Sequence, residues 1–152
     1  MADDYRDIEN LLYRYAECID DGDLESLAQL FAHGRISAAG QATPVCGASE
    51  VLALYRTSTR LYPDNGTPHT QHIVANPIIE LDAGKREAQC RSRFTVLQAT
   101  GELPLQVIIA GRYHDSLQKI DGKWHFTQRH MITELLGDLS HHLLFTQDQL
   151  HR

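Results

Sequence analysis

Between residues 69 and 136 the chain reads as four long strands in succession, roughly 69–81, 86–98, 105–119 and 123–136. Only short turns separate them. Asp82-Ala83-Gly84, Thr100-Gly101-Glu102 and Asp121-Gly122 each have the composition of a tight hairpin connection, so strands adjacent in sequence should pair antiparallel. What precedes this meander is mainly helical. Ile8, Leu11, Leu12, Tyr15, Ala16 and Ile19 recur at three and four residue spacing, with Arg6, Glu9, Asn10, Arg14 and Glu17 on the opposite side. Gly22 can end this helix in the left-handed conformation, and Asp23 is placed to cap a second helix that buries Leu24, Leu27, Ala28, Leu30 and Phe31. A short strand at Arg35 to Ala39 and a turn at Gly40 to Pro44 lead to a third helix over 47–62, with Val51, Leu54, Tyr55, Ser58 and Leu61 inward. Helices first and a long meander afterwards predict an α+β domain whose curved sheet, antiparallel or mixed, wraps around the N-terminal helices. The expectation is one domain over 1–152, with 137–152 a leucine-containing tail that packs across a cavity mouth or a partner.

The first long strand, PHTQHIVANPIIEL, is unusual for a core strand. Alternation puts His72, Val74, Asn76 and Ile78 on one face and Ile73, Ala75, Pro77 and Ile79 on the other. An imidazole and an amide among buried aliphatics each need a partner, or cost roughly 1–3 kcal/mol. Asp20 is the candidate partner. It lies four residues after Ala16 and continues the apolar stripe, whereas Asp21 follows Glu17 outward. Pro77 cannot donate to a ladder, so it implies a bulge or an edge position in this strand.

Composition narrows the function classes. The net charge is −6 and the 14 basic residues form no cluster, which argues against nucleic acid or an anionic membrane as partner and favours a small, weakly charged ligand. The opening MADDYRDIEN lacks a basic and apolar leader, and no 18 apolar residues run together, so a cytoplasmic location is expected. Cys18, Cys46 and Cys90 are widely spaced and suit reduced thiols. His69 and His72 near a strand start and His141-His142 in the tail do not make a recognised metal-ligand set, so no metal is expected.

Four segments carry a resemblance: LLYRYAECIDDGDLESLAQLFA, TQHIVANPIIE, GRYHDSLQKIDGKWHFTQR and ELLGDLSHH. In this order and spacing the chain resembles the SnoaL-like branch of the nuclear transport factor 2-like superfamily, which implies a cone-shaped α+β barrel. It is also similar to scytalone dehydratases and hexachlorocyclohexane dehydrochlorinases, whose aspartate and histidine dyad maps onto Asp20 in IDDGD and His72 in TQH. The arginine that follows the W-x-F pattern of the dehydrochlorinases matches Arg129. Ile19 stands where scytalone dehydratases have a tyrosine, and Gly111 and Tyr113 stand where they have serine and asparagine, so substrate identity does not carry over. The resemblance further implies a homodimer or homotrimer formed through the convex sheet face.

In such a dyad Asp20 orients the ring and fixes its tautomer, and His72 acts as the base. Tyr15, Tyr113 or Arg129 could donate to a developing oxyanion, and Asn76 shares the predicted face of His72; these four are the candidate substrate contacts. No metal or organic cofactor is required. Structural roles stay open for each: a helix-corner bond for Asp20, a bonded core imidazole for His72, core aromatics for the tyrosines and an ion-pair partner or a surface position for Arg129. The expected function is therefore a cofactor-free lyase of the dehydratase type or an isomerase on a small hydrophobic hydroxylated or carbonyl compound. The alternatives are the β subunit of a ring-hydroxylating dioxygenase, which also resembles TQHIVAN, or a small-ligand-binding domain with a vestigial dyad.

Overall fold

The computed structural model describes residues 3–145, so part of the expected tail, 146–152, lies outside the described residues. Helix α1 spans Asp4–Asp20, α2 Leu24–Gln29 and α3 Gly47–Ser58; the strands are β1 Arg35–Ala38, β2 Val45–Cys46, β3 Thr70–Leu81, β4 Glu87–Gln98, β5 Gln106–Ile120 and β6 Lys123–Leu136. They form one six-stranded sheet in the order β2-β1-β6-β5-β4-β3. β3 to β6 pair antiparallel as the hairpin turns require, and β1 joins β6 in parallel, which makes the sheet mixed. The fold is α+β, a curved open sheet with the helices packed on its inner face.

The helices form where capping and periodicity coincide. Asp3 accepts from the Arg6 amide at the start of α1 (3.2 Å), and Asp23 accepts from the Ser26 amide at the start of α2 (3.0 Å). Gly22 between them has φ +73°, and a Cβ there would lie 2.2 Å from the Gly66 carbonyl oxygen. Only glycine permits both the left-handed turn and this close approach. Ile8, Leu12, Leu27 and Phe31 from the helical layer are fully buried, as are Ile108 and Phe126 from the sheet, and the Phe31 and Phe126 rings stack at 5.0 Å. Each such side chain contributes roughly 1.5–3 kcal/mol by leaving water.

Two expectations are corrected. The third helix stops at Ser58 rather than at Tyr62, because Thr59 is extended and pairs with Leu143, leaving Leu61 exposed rather than inward. In β3 the alternation breaks at a bulge between Ala75 and Ile78, where Asn76 takes φ +54°. Asn76 and Ile78 are therefore exposed, and Ile79 and Leu81 take the inward positions. Pro77 signals this bulge and lies, as a residue without an amide hydrogen should, in an edge strand.

Candidate active site

Asp20 ends α1, and β3 passes directly beneath it. One Asp20 carboxylate oxygen lies 2.6 Å from His72 Nδ1 and also accepts from Thr70 Oγ1 (2.8 Å); the other accepts from the His72 backbone amide (2.6 Å). The carboxylate thus grips β3 through a ring, a main-chain amide and a hydroxyl. Thr70 and His72 are two residues apart and so share a face, and that geometry is what lets one helix-terminal aspartate reach both. Since a carboxylate only accepts, Nδ1 carries the proton, and in the neutral ring the lone pair is on Nε2. Nε2 makes no hydrogen bond among the described residues.

On the next rung of the same inner face begins an aromatic and ionic cluster. His72 pairs with Val96, and Val74 pairs with Phe94. The Phe94 ring stacks on Tyr113 at 4.4 Å, and Tyr113 meets Tyr15 edge to face at 5.9 Å. Gly111 makes room for this stack, since a Cβ there would lie 3.0 Å from the Phe94 ring. The hydroxyls of Tyr15 and Tyr55 are in direct hydrogen-bond contact. Burial raises the pKa of all three tyrosines, so their hydroxyls remain protonated donors across the physiological range.

Arg129 occupies the centre of this cluster, with its guanidinium 3.8 Å from the Tyr113 ring centre and 4.4 Å from that of Tyr15. It donates from Nε and Nη2 to the two Asp115 oxygens, both at 2.8 Å, and neither side chain touches solvent. Burial alone would lower its pKa, but the Asp115 carboxylate more than offsets this and holds the charge firmly on the arginine. Arg129 Nη1 is buried without a hydrogen-bond partner among the described residues.

The structure therefore brings Asp20 together with His72, and Tyr15 with Tyr113 and Arg129, all on the inner face. It does not bring in Asn76, whose predicted facing the bulge reverses. Asp115, Thr70 and His142 were not anticipated as site residues, whereas Tyr55 was expected inward on the third helix and is buried there. Asp115 and Thr70 had a signal, being two residues from Tyr113 and His72 respectively and hence on the same faces. A cleft of about 470 Å³ opens beside the start of β3, lined by Arg60, Tyr62, His69, Thr100, Gly101, Glu102, Ser140 and His141. Among the described residues, no three His, Cys, Asp or Glu side chains are grouped so as to hold a metal ion, and no helix is long and apolar enough to cross a membrane.

Comparison with solved structures identifies close relatives in shape. A candidate scytalone dehydratase from Novosphingobium aromaticivorans is 27% identical, with a TM-score of 0.69 over 88% of this chain and 86% of that one. A nuclear transport factor 2-like protein with a cystatin-like fold from the same organism is 18% identical, with a TM-score of 0.71 over 90% and 85% of the two chains. The β subunit of a candidate aromatic-ring-hydroxylating dioxygenase, again from that organism, is 19% identical, with a TM-score of 0.65 over 86% and 88%. The last two likenesses show the fold alone. No curated protein sequence matches. A profile of the SnoaL-like domain matches residues 1–130, which include α1 to α3 and the first five strands complete, and with them the Asp20 and His72 pair. The chain belongs to the SnoaL-like domain family.

Proposed function

We propose that this chain is a lyase of the dehydratase type or an isomerase, acting on a small hydrophobic hydroxylated or carbonyl compound of polyketide-like, steroid-like or aromatic character. The observation that carries this reading is the 2.6 Å contact between Asp20 and His72 Nδ1, which leaves Nε2 as the available base. His72 Nε2 takes a proton from a carbon next to a carbonyl, and the C–H electron pair moves onto the carbonyl oxygen. Asp20 stabilises the imidazolium that results. Tyr15, Tyr113 and the unpaired Nη1 of Arg129 are the donors available for the oxyanion. The imidazolium then returns its proton to a departing hydroxyl, which leaves as water, or to a different carbon, which isomerises the compound. This transfer needs no metal or organic cofactor. Asn76, facing away, is left out.

The test is incubation of the full chain with a panel of cyclic ketones and β-hydroxy ketones in D2O, read by mass spectrometry and NMR. Deuterium incorporation or loss of water is expected, falling about 100- to 10,000-fold in His72→Ala at unchanged circular dichroism. Undiminished turnover in that variant overturns the proposal.

A second reading, an assembly subunit like a dioxygenase β subunit, draws on the exposed aliphatics Ile73, Val107 and Leu135 on the outer sheet face. Co-purification in a hetero-oligomer, with no turnover across the panel, would favour it.

A further inference from the structure

The segment after β6 folds back toward the dyad and delivers a second imidazole. Leu139 and His142 are buried. The His142 carbonyl accepts from the Arg60 amide (2.8 Å), the Leu144 amide donates to Ser58 (2.9 Å), and Gln98 Nε2 donates to the His141 carbonyl (3.1 Å). This segment is thereby pinned between the end of α3 and the end of β4, with the His142 ring centre 6.3 Å from that of His72. His142 lies beyond the residues that the family profile matches.

Two polar atoms in this corner are unaccounted for. His142 Nδ1 is buried and has no hydrogen-bond partner among the described residues. Gln98 Oε1 is in the same condition, although its Nε2 is doubly engaged with Pro68 and His141. Gln98 is the register partner of Thr70, which bonds Asp20, so it stands on the rung next to the dyad. A buried polar atom left unpaired costs roughly 1–3 kcal/mol, a cost that a ligand hydroxyl, able to donate to Gln98 Oε1 and to pair with His142 Nδ1, would remove.

We infer that His142 is a ligand-binding residue of the site: its Nδ1 hydrogen-bonds the carbonyl or hydroxyl oxygen of a ligand whose carbon skeleton lies against His72. The inference rests on the reading of the dyad given above and specifies which group recognises the oxygen. Burial, and then the neighbouring His72, hold the His142 pKa down at about 4, with Asp20 opposing the shift. The ring therefore presents a neutral N–H or lone pair near pH 7, suited to an uncharged oxygen rather than to a carboxylate or phosphate. The Phe94, Tyr113 and Tyr15 rings further along the same face suit an aromatic or polycyclic skeleton.

The probe is 2-naphthol against naphthalene, titrated into the full chain carrying ¹³Cε1-labelled histidine, with His72→Ala and His142→Leu spectra assigning the signals. The Cε1 signals of both His72 and His142 should move on saturation with 2-naphthol. Wild type should prefer 2-naphthol about tenfold, the equivalent of one hydrogen bond. His142→Leu should bind both compounds equally, with naphthalene affinity within about twofold of wild type, and His142→Gln should regain part of the preference. A preference intact in His142→Leu, with the His72 signal still moving, overturns this inference and leaves the dyad reading standing. Neither histidine responding to 2-naphthol overturns both. Should His142→Leu fail to fold, His142→Gln supplies the assignment and the wild-type titration decides, because a His142 signal that stays fixed at saturation overturns the inference.

Discussion

Asp20 holds His72 twice, by the ring at Nδ1 and by the backbone amide, both at 2.6 Å. The second bond matters as much as the first. A carboxylate bonded to the ring alone leaves the strand free to shift, whereas one that also binds the main chain fixes where the ring starts as well as how it is turned. The helix corner and the edge strand are thereby joined at one carboxylate.

Asp20→Asn separates these two jobs. The amide oxygen can still accept from the His72 backbone, but the side chain can no longer stabilise an imidazolium, and its NH2 group can invert the tautomer. Activity on whichever panel compound responds should fall by about 100-fold or more, with the melting temperature shifted only slightly. An Asp20→Asn variant with wild-type kcat would remove the aspartate from the proposed mechanism.

The Arg129 and Asp115 pair yields a stability prediction of opposite character. Both side chains are wholly buried, so removing one partner leaves an uncompensated charge. Asp115→Leu should cost about 3–5 kcal/mol in urea unfolding, and the double variant Asp115→Leu/Arg129→Met should recover much of that loss. Equal destabilisation by the single and double variants would show that packing around the rings, rather than charge, sets the cost.

Acid should weaken the fold through His142. The unfolded chain takes up this proton near 6.5, whereas the folded chain accepts it only near 4. Between those values the unfolded state binds more protons. The stabilisation is therefore complete above pH 6.5 and is lost as pH falls toward 4, on the order of 3 kcal/mol in all. His142→Leu should flatten that part of the stability curve, measured as the change in unfolding free energy between pH 7 and pH 4.5. Identical slopes in wild type and variant would place the acid sensitivity elsewhere.

The pairing of Asp20 with His72 was legible in the sequence because it rests on two local periodicities, the helical stripe through Ala16 and the strand alternation through His72. The hairpins were legible for the same reason, with turn residues at each connection. Asn76 was misplaced because Pro77 announces a bulge without saying which residue absorbs it; the left-handed φ of Asn76 resets the alternation and exposes Ile78 as well. Leu61 was misplaced because the end of α3 is decided by Leu143, more than eighty positions away. The leucines of the tail predict that it packs across a cavity mouth or a partner, but the place of His142 was out of reach on the same ground: nothing near it in sequence indicates that its ring comes to lie beside His72. Asp115 was within reach, being inward with Tyr113 and directly across from Arg129 in the β5 and β6 register.

The outer sheet face carries the last prediction. Ile73 pairs with Thr95, Thr95 with Ala110 and Ala110 with Leu135, a row across four strands that ends in aliphatics 41% and 68% exposed. Val107, opposite Leu97 on the next rung, is also exposed. Exposed aliphatics gathered on one sheet face mark an association surface more often than a wetted one. A second copy of this chain would cover them, so wild type should run as a dimer or trimer in light scattering at micromolar concentration. Leu135→Asp together with Ile73→Asp should give a folded monomer, since each carboxylate would have to be buried unpaired in the assembled state. The inner-face dyad should be intact in that monomer. Activity that survives monomerisation would locate the chemistry wholly within one chain, whereas a wild-type protein that is already monomeric would show that the row is not a self-association surface.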